Sequence, residues 1–213
     1  MLTKSTAPTC LFLDIGGVLL TDGWGHAHRA LAARTFDLKL EDLEQRHRQA
    51  FDTFEVGRLS LDDYLNLVVF HRKRPFTRTR FQAFMFAQSK PHQGMIDLIR
   101  RLKSRYGVKI VVVSNEGREL NAHRVRRFGL YEFVDFFISS CFVHLRKPDP
   151  EIFRLALDCA QVTIRETIFI DNSPLHIEAA KQVGIRGILH VDHESTAEQL
   201  ALLGLSDDER SAE

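Results

Sequence analysis

One stretch constrains this chain more than any other: LFLDIGGVLL, residues 11–20. Four of its first five residues are apolar, as in a strand buried on both faces, which is the habit of a parallel sheet. A carboxylate inside such a run is costly unless it is paired or put to use. In open α/β sheets, ligands bind outside the carboxyl ends of the strands. Asp14, followed by a Gly16-Gly17 step that lets backbone approach a ligand closely, therefore predicts a site at the end of a strand.

Five apolar runs rich in β-branched and aromatic residues predict strands: 10–15 (CLFLDI), 109–113 (KIVVV), 136–140 (FFISS), 167–171 (TIFID) and 186–191 (RGILHV). Helical periodicity fills much of the space between the later runs. Residues 94–105 place Met95, Ile96, Ile99 and Leu102 on one face. Residues 150–161 do the same with Ile152, Phe153, Leu155, Ala156 and Cys159, and Pro150 suits a first helical turn. Residues 174–183 make a third helix. Strands alternating with helices predict an α/β fold with a doubly wound parallel sheet. Residues 22–90 break the alternation, with helical periodicity, eight phenylalanines (36, 51, 54, 70, 76, 81, 84, 86) and no clear strand. The predicted organisation is a core of residues 1–21 and 91–213, interrupted by a small all-helical subdomain at 22–90. Its phenylalanines are expected to serve packing, with room for some of them to face a pocket.

Composition narrows the function classes. The 29 Lys and Arg nearly balance 28 Asp and Glu, for a net charge of +1, which argues against a dedicated nucleic-acid or membrane-surface binder. No run approaches ~20 apolar residues, so no membrane span is expected. Asp14 interrupts what would otherwise be the apolar part of a signal peptide. Cys10, Cys141 and Cys159 are odd in number and lack metal-ligand spacing. They read as buried free thiols in a cytoplasmic protein. The polar tail from Ser206 is expected to fray.

The predicted strand ends carry the chemistry. In order they give Asp14, then Ser114-Asn115, then Asp171-Asn172, and the loop LRKPDPEIF adds Lys147. Two acids, a hydroxyl and an amine thus converge on one rim. Singly each has an ordinary structural explanation, but their coincidence at successive strand ends predicts a site.

These segments resemble a known family. LFLDIGGVL, VVVSNEG, RKPDPEIF and IFIDNSP…EAAKQVG are similar, in order and spacing, to the four motifs of the haloacid-dehalogenase-like hydrolase superfamily, whose members are mostly phosphatases. The resemblance spans residue 10 to about residue 191, and places 22–90 where the family inserts a helical cap. It implies Asp14 as a nucleophile that forms an aspartyl-phosphate, with Ser114 and the backbone amides around Gly17 and Asn115 holding phosphoryl oxygens. It implies Lys147 as the cation that neutralises phosphate and steadies Asp14. Asp14, the Gly16 carbonyl, Asp171 and Asn172 become the expected ligands of Mg2+. The implied substrate is a small phosphorylated metabolite, with neither nucleic acid nor membrane as a partner.

The sequence departs from the family pattern at two places in the site. Gly16 stands where a second acid usually serves as general acid and base, as in a recognised group of the superfamily that includes phosphatases. Asn172 stands where an acid usually binds the metal, and His176 replaces the commoner Asp or Asn. These departures motivate an alternative, a catalytically weakened relative that binds a phosphorylated ligand or a protein. A metal-free dehalogenase is a further alternative. Asp22, His26, His28 and His47 are available to replace the missing acid, although each also reads as an exposed position of the insertion. The basic runs HRKR (71–74) and HRVRR (123–127) read as solvated helix or loop faces, with attraction of anionic substrates the functional alternative.

Overall fold

A computed structural model describes residues 7–207. Five strands form one sheet: β1 (Cys10–Leu13), β2 (Lys109–Ser114), β3 (Phe136–Ser139), β4 (Thr167–Asp171) and β5 (Arg186–Leu189). All pairs are parallel, in the order β3-β2-β1-β4-β5. Four helices lie between β1 and β2 and precede the first core helix: α1 (His26–Thr35), α2 (Leu40–Glu55), α3 (Leu61–Val68) and α4 (Arg78–Ala87). The others are α5 (Gln93–Tyr106), α6 (Arg118–Arg127), the single turn α7 (Ser140–Val143), α8 (Pro150–Ala160), α9 (Pro174–Val183) and α10 (His193–Leu202).

Strand side chains alternate between the two faces. Leu11, Leu13, Ile110, Val112, Ile168 and Ile170 share one apolar cluster with residues of α5 and α10. Cys10, Phe12, Val111, Val113 and Phe169 share the opposite cluster with residues of α8 and α9. Both faces are therefore covered, which makes the fold doubly wound. Local chemistry sets the helix ends. Asp149 accepts a hydrogen bond from the Glu151 amide, with Pro150 in the first turn of α8, and α5 and α9 stop at Gly107 and Gly184 in left-handed conformations.

The strand expected over 10–15 ends at Leu13. The chain turns because the amides of Val18, Leu19 and Leu20 all converge on the Ile15 carbonyl, at 3.4, 3.1 and 2.8 Å. Gly17 takes φ +80° in that turn, with the Asn172 side chain packed where a Cβ would stand. The third run stops one residue short of its expected end, where Ser140 opens α7, and the fifth stops at Leu189.

The helices α1–α4 have an apolar cluster of their own, which includes Trp24, Phe36, Phe54, Tyr64 and Phe81. Phe70, Phe76, Phe84 and Phe86 pack against it, so packing accounts for most of the phenylalanines. Two expectations are corrected. Cys159 is exposed rather than buried, because it lies on the solvent side of α8. Ser206 and Asp207 are tied down, with the Tyr106 hydroxyl on the Ser206 carbonyl at 2.9 Å and Arg101 gripping both oxygens of Asp207 at 2.7 Å; the rest of the tail lies outside the described residues. Among those residues no helix is long and apolar enough to cross a membrane.

Candidate active site

Sheet order puts β1 beside β4 at the point where the strand order reverses, which is where a crevice forms at the strand ends. Asp14 follows β1, its amide bonded to the Ile170 carbonyl at 3.0 Å, and Asp171 ends β4. Lys147 enters from the loop between α7 and α8. Its Nζ lies 3.0 Å from Asp14 Oδ1 and 2.6 Å from Asp171 Oδ2. The Asn115 side chain clamps the Lys147 backbone, donating to its carbonyl at 2.8 Å and accepting from its amide at 2.9 Å. Asp171 Oδ1 accepts from the Ser173 amide at 2.8 Å, and His176 Nδ1 lies 3.0 Å from Oδ2. A carboxylate only accepts, so that ring nitrogen carries the hydrogen.

Two buried carboxylates thus share one buried ammonium. Burial alone would lower the Lys147 pKa, yet Asp14 and Asp171 together hold it above its usual value. Burial would likewise raise Asp171, but Lys147 and His176 bring it below the ordinary range. Asp14 goes the other way: burial, helped by the Asp171 charge, outweighs Lys147 and raises it. The Asp14 charge is the one left short of compensation.

Above these groups opens a cavity of about 820 Å³. Of the residues singled out in the sequence, Asp14, Gly16, Asn115, Lys147 and Asn172 line it, as does His176. Ser114, Gly17 and Asp171 do not. Ser114 is buried at the end of β2 and Asp171 is fully buried beneath Lys147. Asp171 was expected among metal ligands. Here its oxygens accept from Lys147, His176 and Ser173, which fixes the carboxylate beneath the cavity floor.

The insertion supplies the opposite wall, with Trp24, Phe51 and Phe54 as its aromatic part. Among the candidate proton carriers, Asp22, His26 and His47 line the cavity and His28 does not. His26 is exposed and bonded to Glu44 at 3.0 Å. His47 is buried against the Tyr64 hydroxyl at 2.8 Å, and burial pushes its pKa down to about 4. Sequence reasoning missed Glu55, Glu116, Arg124 and Arg146, all of which line the cavity. Arg124 corrects the reading of HRVRR as a solvated face. It is 1% exposed and donates to Glu116 at 2.6 Å, Ser89 at 3.0 Å and the Thr21 carbonyl at 2.5 Å. Leu120, four residues earlier on the same helix face and buried, was the available signal. In HRKR, His71, Arg72 and Lys73 are exposed, outside the cavity wall.

Among the described residues no cluster of three acidic, histidine or cysteine side chains stands ready for a metal. Mg2+ does not require one, because it keeps several waters and uses one or two carboxylates. The Asp14 carboxylate, the Gly16 carbonyl and the Asn172 amide offer hard oxygen donors on one cavity wall. Two buried carboxylates, Asp14 and Asp171, share a single ammonium there, which suits a cation, so the residues present fit Mg2+.

Comparisons with known proteins bear on the family and the fold. A family model described as haloacid dehalogenase-like hydrolase matches residues 8–184. Over 134 residues the chain is 27% identical to a phosphorylated carbohydrates phosphatase of Thermotoga maritima, covering 63% of this chain and 57% of that one. A sesquiterpene phosphatase of Aspergillus oryzae is 26% identical over 196 residues, 89% of this chain and 93% of that one. Bifunctional epoxide hydrolase 2 of Sus scrofa is 28% identical over 118 residues, 54% of this chain but only 21% of the longer protein. The chain therefore spans well under two thirds of the pig and Thermotoga relatives. Among solved structures, a HAD family enzyme from Bacteroides thetaiotaomicron, in complex with magnesium and inorganic phosphate, superposes with a TM-score of 0.72 at 19% identity. That likeness covers 87% of this chain and 95% of the other, and it concerns the fold.

Proposed function

This chain belongs to the haloacid dehalogenase-like hydrolase family, and we propose that it is a Mg2+-dependent phosphatase of a small phosphorylated metabolite, acting through an aspartyl-phosphate on Asp14. The observation that carries this reading is Lys147, wholly buried and shared between Asp14 and Asp171 at the floor of a cavity large enough for such a substrate. The similarity to two phosphatases supports it, as does a fold neighbour that holds magnesium and phosphate.

Lys147 grips one oxygen of Asp14, which fixes the direction in which the other faces phosphorus. Attack by that oxygen forms the Asp14–phosphorus bond as the bond to the leaving oxygen breaks, and splits one hard displacement into two easier ones. Lys147 lies within reach of the phosphoryl oxygens, where a preorganised cation counts most. Asp171 and His176 position Lys147. Asn115 holds the Lys147 loop with its side chain and leaves its backbone amide, with the Ser114 hydroxyl behind it at the end of β2, for phosphoryl oxygens; the Gly17 amide, expected from the sequence to share that task, is instead spent on the Leu20 carbonyl at 2.6 Å. Water then displaces phosphate from phosphorus and restores the Asp14 carboxylate. Asp14, the Gly16 carbonyl, Asp171 and Asn172 are the residues that would hold Mg2+, which when bound would neutralise charge on the phosphoryl group. The helical insertion acts as the cap, and its aromatic wall meets the leaving group and excludes water.

Hydrolysis of p-nitrophenyl phosphate tests the proposal. We expect turnover with Mg2+, loss with EDTA, and a drop of at least about 10³-fold in Asp14→Asn. Equal turnover in Asp14→Asn and the parent would overturn it. No turnover by the folded parent would favour a phospho-ligand-binding role instead.

A further inference from the structure

We propose that Glu55, the last residue of α2, is the general acid and base of the reaction, supplying from the insertion the proton relay that Gly16 cannot. This assignment rests on the phosphatase reading above. The reaction needs a group that protonates the departing oxygen and later takes a proton from water. Such a group must face the cavity, offer an oxygen not already spent, and hold a proton near neutral pH.

Five carboxyl groups besides Asp14 line the cavity, and four fit poorly. Both oxygens of Glu44 are held by Arg29, at 2.9 and 3.0 Å. Asp52 is exposed and paired with Arg146. Glu116 is bonded to Arg124 at 2.6 Å. Asp22 is exposed to water; its Oδ1 stands 3.8 Å from where a Cβ on Gly16 would lie, which makes it the strongest rival. Glu55 differs from all four, since its Oε2 is buried and has no hydrogen-bond partner. Arg146 lies 3.0 Å away as an ionic neighbour without hydrogen-bond alignment.

The end of α2 is fastened to the core, which fixes this carboxyl. The Glu55 carbonyl accepts from Ser140 Oγ at 2.6 Å, and the Val56 carbonyl lies 2.7 Å from His144 Nδ1. At Gly57, φ +71°, a Cβ would strike the Cys141 carbonyl, so only glycine lets the chain approach so closely. The turn α7 and His144 after it, which receive these contacts, lead directly into the loop that carries Lys147. The charged groups facing Glu55 are Arg146 and Lys147, which favour its anion, and Glu116 and Asp14, which oppose it. Burial dominates and pushes the carboxyl up to about 8, so it carries a proton at neutral pH.

The cycle balances. As Asp14 forms its bond to phosphorus, the Glu55 proton passes to the departing alkoxide, which leaves as an alcohol. The Glu55 carboxylate then accepts a proton from the attacking water as the Asp14–phosphorus bond breaks. Phosphate leaves and Glu55 is protonated again.

The test compares Glu55→Gln with the parent on p-nitrophenyl phosphate and glycerol 2-phosphate, by rapid mixing with Mg2+. Nitrophenolate leaves without a proton and an alkoxide does not. We expect the variant to release one nitrophenolate per chain in a burst within about fivefold of the parent rate, then turn over slowly. Its phosphorylation by glycerol 2-phosphate should fall by about 10²- to 10³-fold. The parent's decline in alkyl-ester kcat/KM above pH 8 should vanish in the variant, and Glu55→Asp should recover part of the alkyl-ester rate. Equal losses on both esters, or none on either, would overturn the assignment, as would a selective alkyl-ester loss in Asp22→Asn with Glu55→Gln unaffected. A parent inert toward both esters would instead overturn the phosphatase reading and this assignment with it.

Discussion

Lys147 is the residue on which the site balances. It is wholly buried, and its two partners, Asp14 and Asp171, are themselves buried. Replacing it with methionine keeps the packing of its stem but leaves two carboxylates without their cation. Removing one member of a buried ion pair costs about 3–5 kcal/mol, and we expect Lys147→Met to lose that much in urea unfolding at pH 8. The sign with pH follows from linkage. Asp14 already lies above its ordinary value, and losing the ammonium that opposes this shift raises it further, so the folded variant binds more protons than the unfolded chain and its stability falls as pH rises. The deficit should be smaller at pH 5 than at pH 8. Lys147, Asp14 and Asp171 were legible because each is a charged residue at the end of, or just beyond, an apolar run, where solvation alone does not explain it. Arg124 was not. In HRVRR it carries the same residue type as its solvated neighbours Arg126 and Arg127, and only its place on the helix face separates them. Glu55 was hidden for a related reason: what matters is the contact of its helix end with Ser140 and His144, far away in sequence.

At the scale of elements, the helices bounded by proline and glycine matched expectation most closely, α9 running over 174–183 between Pro174 and Gly184. Strand ends were read less well. The turn after Leu13 depends on three amides sharing one carbonyl, which no apolar pattern records. The seam between insertion and core was equally silent, and it is narrow. Gly117, at the start of α6, has an ordinary φ of −66°, so alanine there meets no backbone strain. Its Cβ, however, would stand 2.0 Å from Phe54 Cζ. The Phe54 ring would have to leave its stack on Tyr64, where the ring centroids are 4.4 Å apart. Overpacking of this kind costs about 1–3 kcal/mol. We expect Gly117→Ala to lose that much stability and to raise KM more than it lowers kcat, because Phe54 walls the cavity while Asp14 and Lys147 stay in place. Denaturant unfolding and steady-state kinetics on one preparation check both halves.

The whole molecule brings a helical insertion down onto the strand ends of a parallel sheet, and the join encloses acids as well as aromatics. Burial, partly offset by Arg146 and Arg124, pushes Glu55 to about 8 and Glu116 to about 7, from an ordinary 4.5. Both shifts are upward, so the folded protein holds protons that the unfolded chain releases. The stability these acids contribute is complete below pH 4.5 and is lost as pH rises through 7 and 8, at a limiting slope of about 1.4 kcal/mol per pH unit for each group. His47 acts in the opposite sense and lower down. Its value of about 4 lies below the ordinary 6.5, so it adds stability as pH rises across that interval and nothing further above it. Between pH 6.5 and 9 the acids therefore dominate, and the melting temperature should fall as the solution becomes more alkaline. Glu55→Gln, which has no proton to lose, should melt close to the parent at pH 5 and above it at pH 9, the gap widening up to about pH 8 and then levelling. Calorimetry across that range decides the matter: a gap constant with pH would mean that Glu55 is charged in the folded protein throughout, with Arg146 as its full partner.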